Sequence, residues 1–314
     1  MTIAKIVPLI VFIIIGATAF KIGTFSADFW GANSDLGSTL TQVKAMMLVT
    51  VWVFIGVEGA SVFSERARNR HDVGRATITG FASVLVLLLL VNLLSYGIAP
   101  REEIAAMPDP STSGVLTAAV GPWGAKFIAA GLAISLIGAL LSWFLMCAEI
   151  LRVPALDSTL PRWFSKENKN GTPVGAMWLT TGMVQAMLIW AHFAGSTYTS
   201  LILLASALIL IPYLFSAAFH LINSFRNREK AGIADIVIGI LGTAYAVWLL
   251  YAAGPTYLLF VGLFYLVGTP FYVIARKEAG KRVFTTIDWV VIAVFSATSI
   301  YAIYGLYTGA LSIE

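Results

Sequence analysis

The chain has 314 residues, of which 59% are hydrophobic and 11% charged. A soluble domain carries about 25% charged residues, so a water-soluble core is excluded and a bilayer is the expected solvent. The net charge is +4 and the one cysteine, Cys147, lies in an apolar run, so no intrachain disulfide can form; no His/Cys group has metal-ligand spacing.

Nine apolar runs are predicted as spans, at about 4–22, 41–63, 76–98, 124–151, 174–194, 199–222, 233–252, 256–275 and 287–309. Each approaches or exceeds the ~20 residues that cross ~30 Å of hydrocarbon as a helix. Lipid offers no hydrogen bonds to the backbone, so each run must satisfy its own peptide groups. Barrel strands would alternate polar and apolar over ~10 residues, and these runs do not. The predicted fold class is all-α, a polytopic membrane helix bundle in a single transmembrane domain. The first run, Ile6 to Phe20, has only Lys5 as a basic leader and no small-x-small site followed by a polar start. It reads as a span and not as a signal peptide.

The loops divide by charge. Arg66, Arg68, Arg70 and Arg75 lie in one, and Arg152, Arg162, Lys166 and Lys169 in the next of the same set. Arg226, Arg228 and Lys230 follow, then Arg276, Lys277, Lys281 and Arg282, together 15 of the 20 basic residues. The alternate loops, 23–40, 99–123, 195–198 and 253–255, contain only Arg101, while Lys21, Lys44 and Lys126 stand at span ends and can snorkel. The positive-inside rule places the first set in the cytoplasm, with the N-terminus inside and Glu314 outside. The basic residues therefore read as topology signals, and nucleic acid is not expected as a partner. The longest outer loop, 99–123, is rich in Pro, Ser, Thr and Gly and is predicted to be irregular.

In the second span a carboxylate, Glu58, lies between Gly56 and Gly59. A charge at membrane depth costs at least ~2.5–3.5 kcal/mol on insertion scales and needs a polar cavity or a partner. Glycines let the backbone leave helical geometry, and an interrupted span can hold an ammonium and a carboxylate. The competing reading is that the glycines only permit close helix packing. Trp52 could face a cavity and stack on a cation, or simply pack. In the fourth span Trp143 precedes Glu149 and Arg152, whose i, i+3 spacing allows an ion pair or an inner gate charge. The sixth span contains Ser206, which either lines a cavity or bonds its own helix, and Pro212, which is predicted to kink it. His192 and His220 read as interfacial, and Cys147 as packing.

The stretch Val51-Trp-Val-Phe-Ile-Gly-Val-Glu-Gly-Ala-Ser61, then Ser64-Glu65-Arg66-Ala67 and Asp72-Val73-Gly74-Arg75-Ala76-Thr77, resembles the sixth helix and following loop of basic amino-acid/polyamine antiporters. These belong to the amino acid–polyamine–organocation superfamily. Residues 163–174, Trp-Phe-Ser-Lys-Glu-Asn-Lys-Asn-Gly-Thr-Pro-Val, resemble the loop after their eighth helix. Within the family the similarity is greatest to arginine/ornithine antiporters, with lysine transporters nearly as similar. The resemblance implies a LeuT-like fold. This chain would start at the family's fifth helix, and spans 2–6 would form the second inverted repeat, followed by extra C-terminal helices. The family's first four helices, including a Gly-Ser-Gly break that binds the substrate carboxylate, have no counterpart here. The chain alone is therefore expected not to transport.

By position the resemblance makes Trp52 the gate over the occluded substrate. It gives the carbonyls around Phe54, Ile55 and Gly56 to the α-ammonium, Glu58 to gating or protonation, and Trp143 to the cationic side chain. Ser206 and Glu149 complete the expected set, Ser206 as a substrate contact and Glu149 as a gating or proton-coupling charge. The implied activity is arginine/ornithine exchange by alternating access, without cofactor, metal or covalent chemistry. The alternatives are a proton-coupled lysine or other amino-acid permease and a truncated, non-transporting membrane subunit. The expected partners are a cationic amino acid and the bilayer, with a homodimer left open. The expected location is a bacterial inner membrane.

Overall fold

Long apolar runs with no outside hydrogen-bond partner close their own ladders, and every regular element among the described residues is a helix. The computed structural model describes residues 2–30, 37–194, 198–227 and 231–311. Met1, Arg228, Lys230 and Glu314, used in the topology argument, lie outside them, as do 31–36 and 195–197 of the outer loops. In chain order the helices are α1 (Thr2–Ala19), α2 (Ile22–Ser26), α3 (Thr39–Phe54), α4 (Gly59–Val62), α5 (Arg70–Ile98) and α6 (Arg101–Ala106). They continue with α7 (Ser111–Val120), α8 (Pro122–Leu156), α9 (Val174–Ala194), α10 (Tyr198–Arg226), α11 (Ile233–Glu278) and α12 (Thr286–Thr308). Among the described residues, seven helical stretches are long and apolar enough to cross a membrane, the first combining α3 and α4 as Thr39–Val62. The apolar part of α1, Lys5–Ala19, is shorter.

The chain forms two compact units. One comprises Met1–Gly37 and Val57–Glu149. Its core gathers Phe12 of α1, Val91 of α5, Val115 and Leu116 of α7, and Ile128 of α8. In lipid such packing works mainly through dispersion, because acyl chains are as apolar as leucine. The end of α1 is tied to α5 by Lys21 N–H donating to the Gly97 carbonyl at 2.9 Å. The Arg101 guanidinium donates to the Asp28 carbonyl at 2.8 Å.

The loop 99–123 is not irregular. It holds α6 and α7, which begin directly after Pro100 and Pro110. The prolines that suggested turns act as helix starters, since their fixed φ suits the position before the first turn. Val115 and Leu116 then anchor α7 in the core.

The second unit comprises Ser38–Gly56 and Ile150–Glu314. Leu48 and Val51 of α3 pack with Ala207 and Leu210 of α10 and with Leu249, Ala253 and Val261 of α11. A second cluster joins Leu204, Phe260 and Ala302 of α10, α11 and α12. The 46-residue α11 is two helices joined at Gly254, whose φ of 77° and ψ of 164° are not helical. A residue before proline, here Pro255, is pushed out of the helical region, and glycine reaches positive φ without a Cβ clash. The helix α12 starts with a capping box: Thr285 Oγ1 accepts the Asp288 N–H and the Asp288 carboxylate accepts the Thr285 N–H.

Candidate functional site

The helix α3 begins at Ser38, whose hydroxyl accepts the Thr41 N–H at 3.3 Å. It ends at Phe54, in the middle of an apolar stretch. Ile55 N–H still reaches back to the carbonyls of Val51 (3.0 Å) and Trp52 (3.2 Å). The backbone of Ile55 then turns to φ −59°, ψ 130°, which is extended. Gly56 follows at φ 102°, a conformation that penalises any Cβ. Helical bonding resumes when Ser61 and Val62 donate to the Glu58 carbonyl at 2.8 and 3.1 Å. Residues 55–58 are thus a four-residue interruption of a span-length helix. The aligned peptides of α3 leave partial negative charge at its C-terminal end, where the interruption begins.

The expected site residues divide between the two units. Trp52, Phe54, Ile55 and Gly56 belong with α10 and α11, where Ile55 packs against the Val51, Ala207 and Leu210 cluster. Trp52 and Phe54 are half-buried. Ser206, in the same unit, is fully buried, and its hydroxyl donates to the Ile202 carbonyl at 2.8 Å. The hydroxyl proton goes to its own helix, while the oxygen keeps acceptor capacity.

Glu58, Trp143 and Glu149 belong to the other unit. A Cβ built on Gly59 would stand 3.4 Å from the Met146 thioether, so α4 rests on α8 at Met146. Trp143 and Glu149 lie one turn on either side of that methionine. Glu149 is 3% exposed and Trp143 40% exposed. Arg152, which the i, i+3 spacing offered to Glu149, gives its Nε to Glu167 Oε1 at 2.6 Å. Cys147 is half-buried.

The helix α10 continues through Pro212. Proline has no N–H, so the Leu208 carbonyl loses the donor a helix would normally supply. Tyr265 of α11 replaces it, its hydroxyl donating to Leu208 O at 3.1 Å. Sequence reasoning marked Pro212 and missed Tyr265, because nothing in the local pattern connects residues 57 positions apart. Met146 was also missed, since a methionine in an apolar run carries no distinguishing signal.

These features define a polytopic helical membrane protein in which one span unwinds around a carboxylate. A family model described as amino acid permease matches residues 1–295. An arginine/ornithine antiporter of Pseudomonas aeruginosa is 47% identical, covering 99% of this chain and 67% of its own length. An L-lysine transport protein of Corynebacterium glutamicum is 38% identical, covering 99% of this chain and 66% of its own length. An arginine/agmatine antiporter of Chlamydia pneumoniae is 37% identical, over 99% of this chain and 67% of its own length. The chain belongs to the amino acid permease family. It spans about two thirds of the length of these relatives. The family and the relatives are named as transporters, not enzymes.

Proposed function

We propose that the chain carries a cation-selective site of an amino-acid antiporter, with arginine and ornithine as the exchanged pair. The observation that carries this reading is the interruption at 55–58 with Glu58 at its end. The α-ammonium is assigned to the peptide groups at Phe54, Ile55 and Gly56, at the negative end of the α3 dipole. Trp52, one turn before the interruption, closes over the guest. Trp143 is assigned to the cationic side chain by the family resemblance alone. Glu58 and Glu149 supply gating or proton-coupling charges. The names of the similar proteins support a cationic amino acid as the guest.

The reading places the four basic loops in the cytoplasm of a bacterial inner membrane, with the N-terminus inside and the C-terminus outside. It is supported by the concentration of basic residues in alternate loops.

Two measurements test the function. Labelled arginine bound to the purified chain is displaced by ornithine and not by citrulline, its neutral analogue. In proteoliposomes the chain alone is expected to carry no labelled ornithine, and any uptake that is seen should require arginine inside. Equal displacement by citrulline refutes the cationic site. Uptake driven by a proton gradient without counter-substrate refutes exchange.

A further inference from the structure

Two basic loops that are far apart in sequence meet at one end of the second unit. The Arg162 N–H donates to Glu278 Oε2 at 2.7 Å. Beneath this bond Phe164, fully buried, sits with its ring 5.7 Å from that of Phe271. Both loops are internally ordered. In the first, Asn168 Oδ1 accepts the N–H groups of Asn170 (2.9 Å) and Thr172 (3.0 Å), and Glu167 bridges to Pro173. In the second, Arg276 Nε donates to the Arg282 carbonyl at 2.9 Å, and Lys281 N–H returns to the Arg276 carbonyl at 3.0 Å.

The charge is one-sided. Residues 152–173 and 276–288 hold eight basic and four acidic side chains, an excess equal to the +4 of the whole chain. Two of the acids are engaged in the bonds just described, Glu167 with Arg152 and Glu278 with the Arg162 N–H. Arg162, Lys166, Lys169, Lys277, Lys281 and Arg282 are exposed.

A second observation fixes the depth. Aromatic rings run beside the second loop, Tyr272 to Phe284 at 6.3 Å and Phe284 to Trp289 at 4.8 Å, with the Arg276 guanidinium 5.8 Å from the Tyr272 ring. Trp289 is 58% exposed and Trp163, on the first loop, 38%. Exposed tryptophan and tyrosine at the ends of membrane helices sit at the headgroup level. Cations next to such a belt lie at the depth of lipid phosphates, not out in the aqueous phase where a soluble acidic partner would meet them.

We propose that these two loops form one docking surface for anionic phospholipid headgroups, with the Glu278–Arg162 bond holding its halves together. Each Lys or Arg near an anionic bilayer surface strengthens attraction by about fivefold. This goes beyond the transport reading and does not depend on it, because the test measures no transport.

The test is native mass spectrometry of the purified full chain released from micelles containing equal amounts of phosphatidylglycerol and phosphatidylcholine. The wild-type chain retains phosphatidylglycerol with a preference on the order of tenfold or more. Lys277→Gln/Lys281→Gln/Arg282→Gln abolishes the preference. Glu278→Ala separates a joint surface from simple charge: it removes a carboxylate yet lowers the preference, because the loops come apart. Lys166→Gln/Lys169→Gln, on an exposed hairpin, lowers it by at least fivefold and gives the answer if Glu278→Ala does not fold. The proposal is overturned by equal retention of both lipids in the wild type or by a raised preference in Glu278→Ala. An unchanged preference in the hairpin variant also overturns it. Displacement of the lipid by inorganic phosphate at matched concentration overturns it in favour of a free-phosphate site.

Discussion

Removing one hydroxyl, by Tyr265→Phe, isolates the bond that substitutes for the missing N–H of residue 212. The phenol reaches the Leu208 carbonyl at 3.1 Å, in a helix whose own ladder cannot serve that oxygen. Leu208 and Tyr265 both pack against the apolar cluster of Val51, Ala207 and Leu210, where little water is available as a replacement. Leaving an acceptor unsatisfied in such surroundings costs about 1–3 kcal/mol. Phenylalanine fills nearly the same volume, so little of the loss comes from packing. The assay is a double-mutant cycle with Pro212→Ala, read by amide hydrogen exchange over residues 208–216 and by denaturant unfolding in mixed micelles. Alanine restores the N–H at 212, so Leu208 regains an intrahelical donor. Tyr265→Phe should cost about 1–2 kcal/mol in the wild-type background and close to nothing beside Pro212→Ala. Equal losses in the two backgrounds would mean that the hydroxyl serves something other than the orphaned carbonyl, and the reasoning would fail.

Three further outcomes follow from the same geometry. Gly56→Ala forces a Cβ onto a backbone at φ 102°, so it should destabilise the interruption by about 1–2 kcal/mol and weaken arginine binding, measured by equilibrium titration. Glu58→Gln should leave folding intact, judged by circular dichroism and monodispersity, while lowering affinity for arginine more than for a neutral amino acid; an equal loss for both would remove Glu58 from charge recognition. Phe164→Ala empties a fully buried site beneath the Arg162–Glu278 bond and should cost about 3–5 kcal/mol locally, seen as faster proteolysis between residues 157 and 173.

The interruption of α3 was legible because its cause is local. Two glycines flank a carboxylate in a stretch otherwise able to span a bilayer, and Gly56 takes the positive φ that only glycine tolerates well. The joint in α11 also has a local cause, since Gly254 and Pro255 are adjacent. The loop at 99–123 was misread because composition alone does not reveal order. Its prolines precede helices, and α7 owes its position to burial of Val115 and Leu116 against partners from α1, α5 and α8. The tertiary bonds were not legible. Arg152 finds Glu167 across 15 positions and Arg162 finds Glu278 across 116, and no periodicity encodes either.

The two ends of the interruption rest on materials of different stiffness. Before it, Val51 and Ile55 sit in a cluster of seven buried residues from three helices, where the β-branched Val51, Ile55 and Val261 have few rotamers. After it, Gly59 has no side chain and leans on the unbranched thioether of Met146, which can re-form its contact over a range of positions. A force applied at the middle would therefore be absorbed unequally: the leading helix holds its register, and compliance concentrates in residues 57–62.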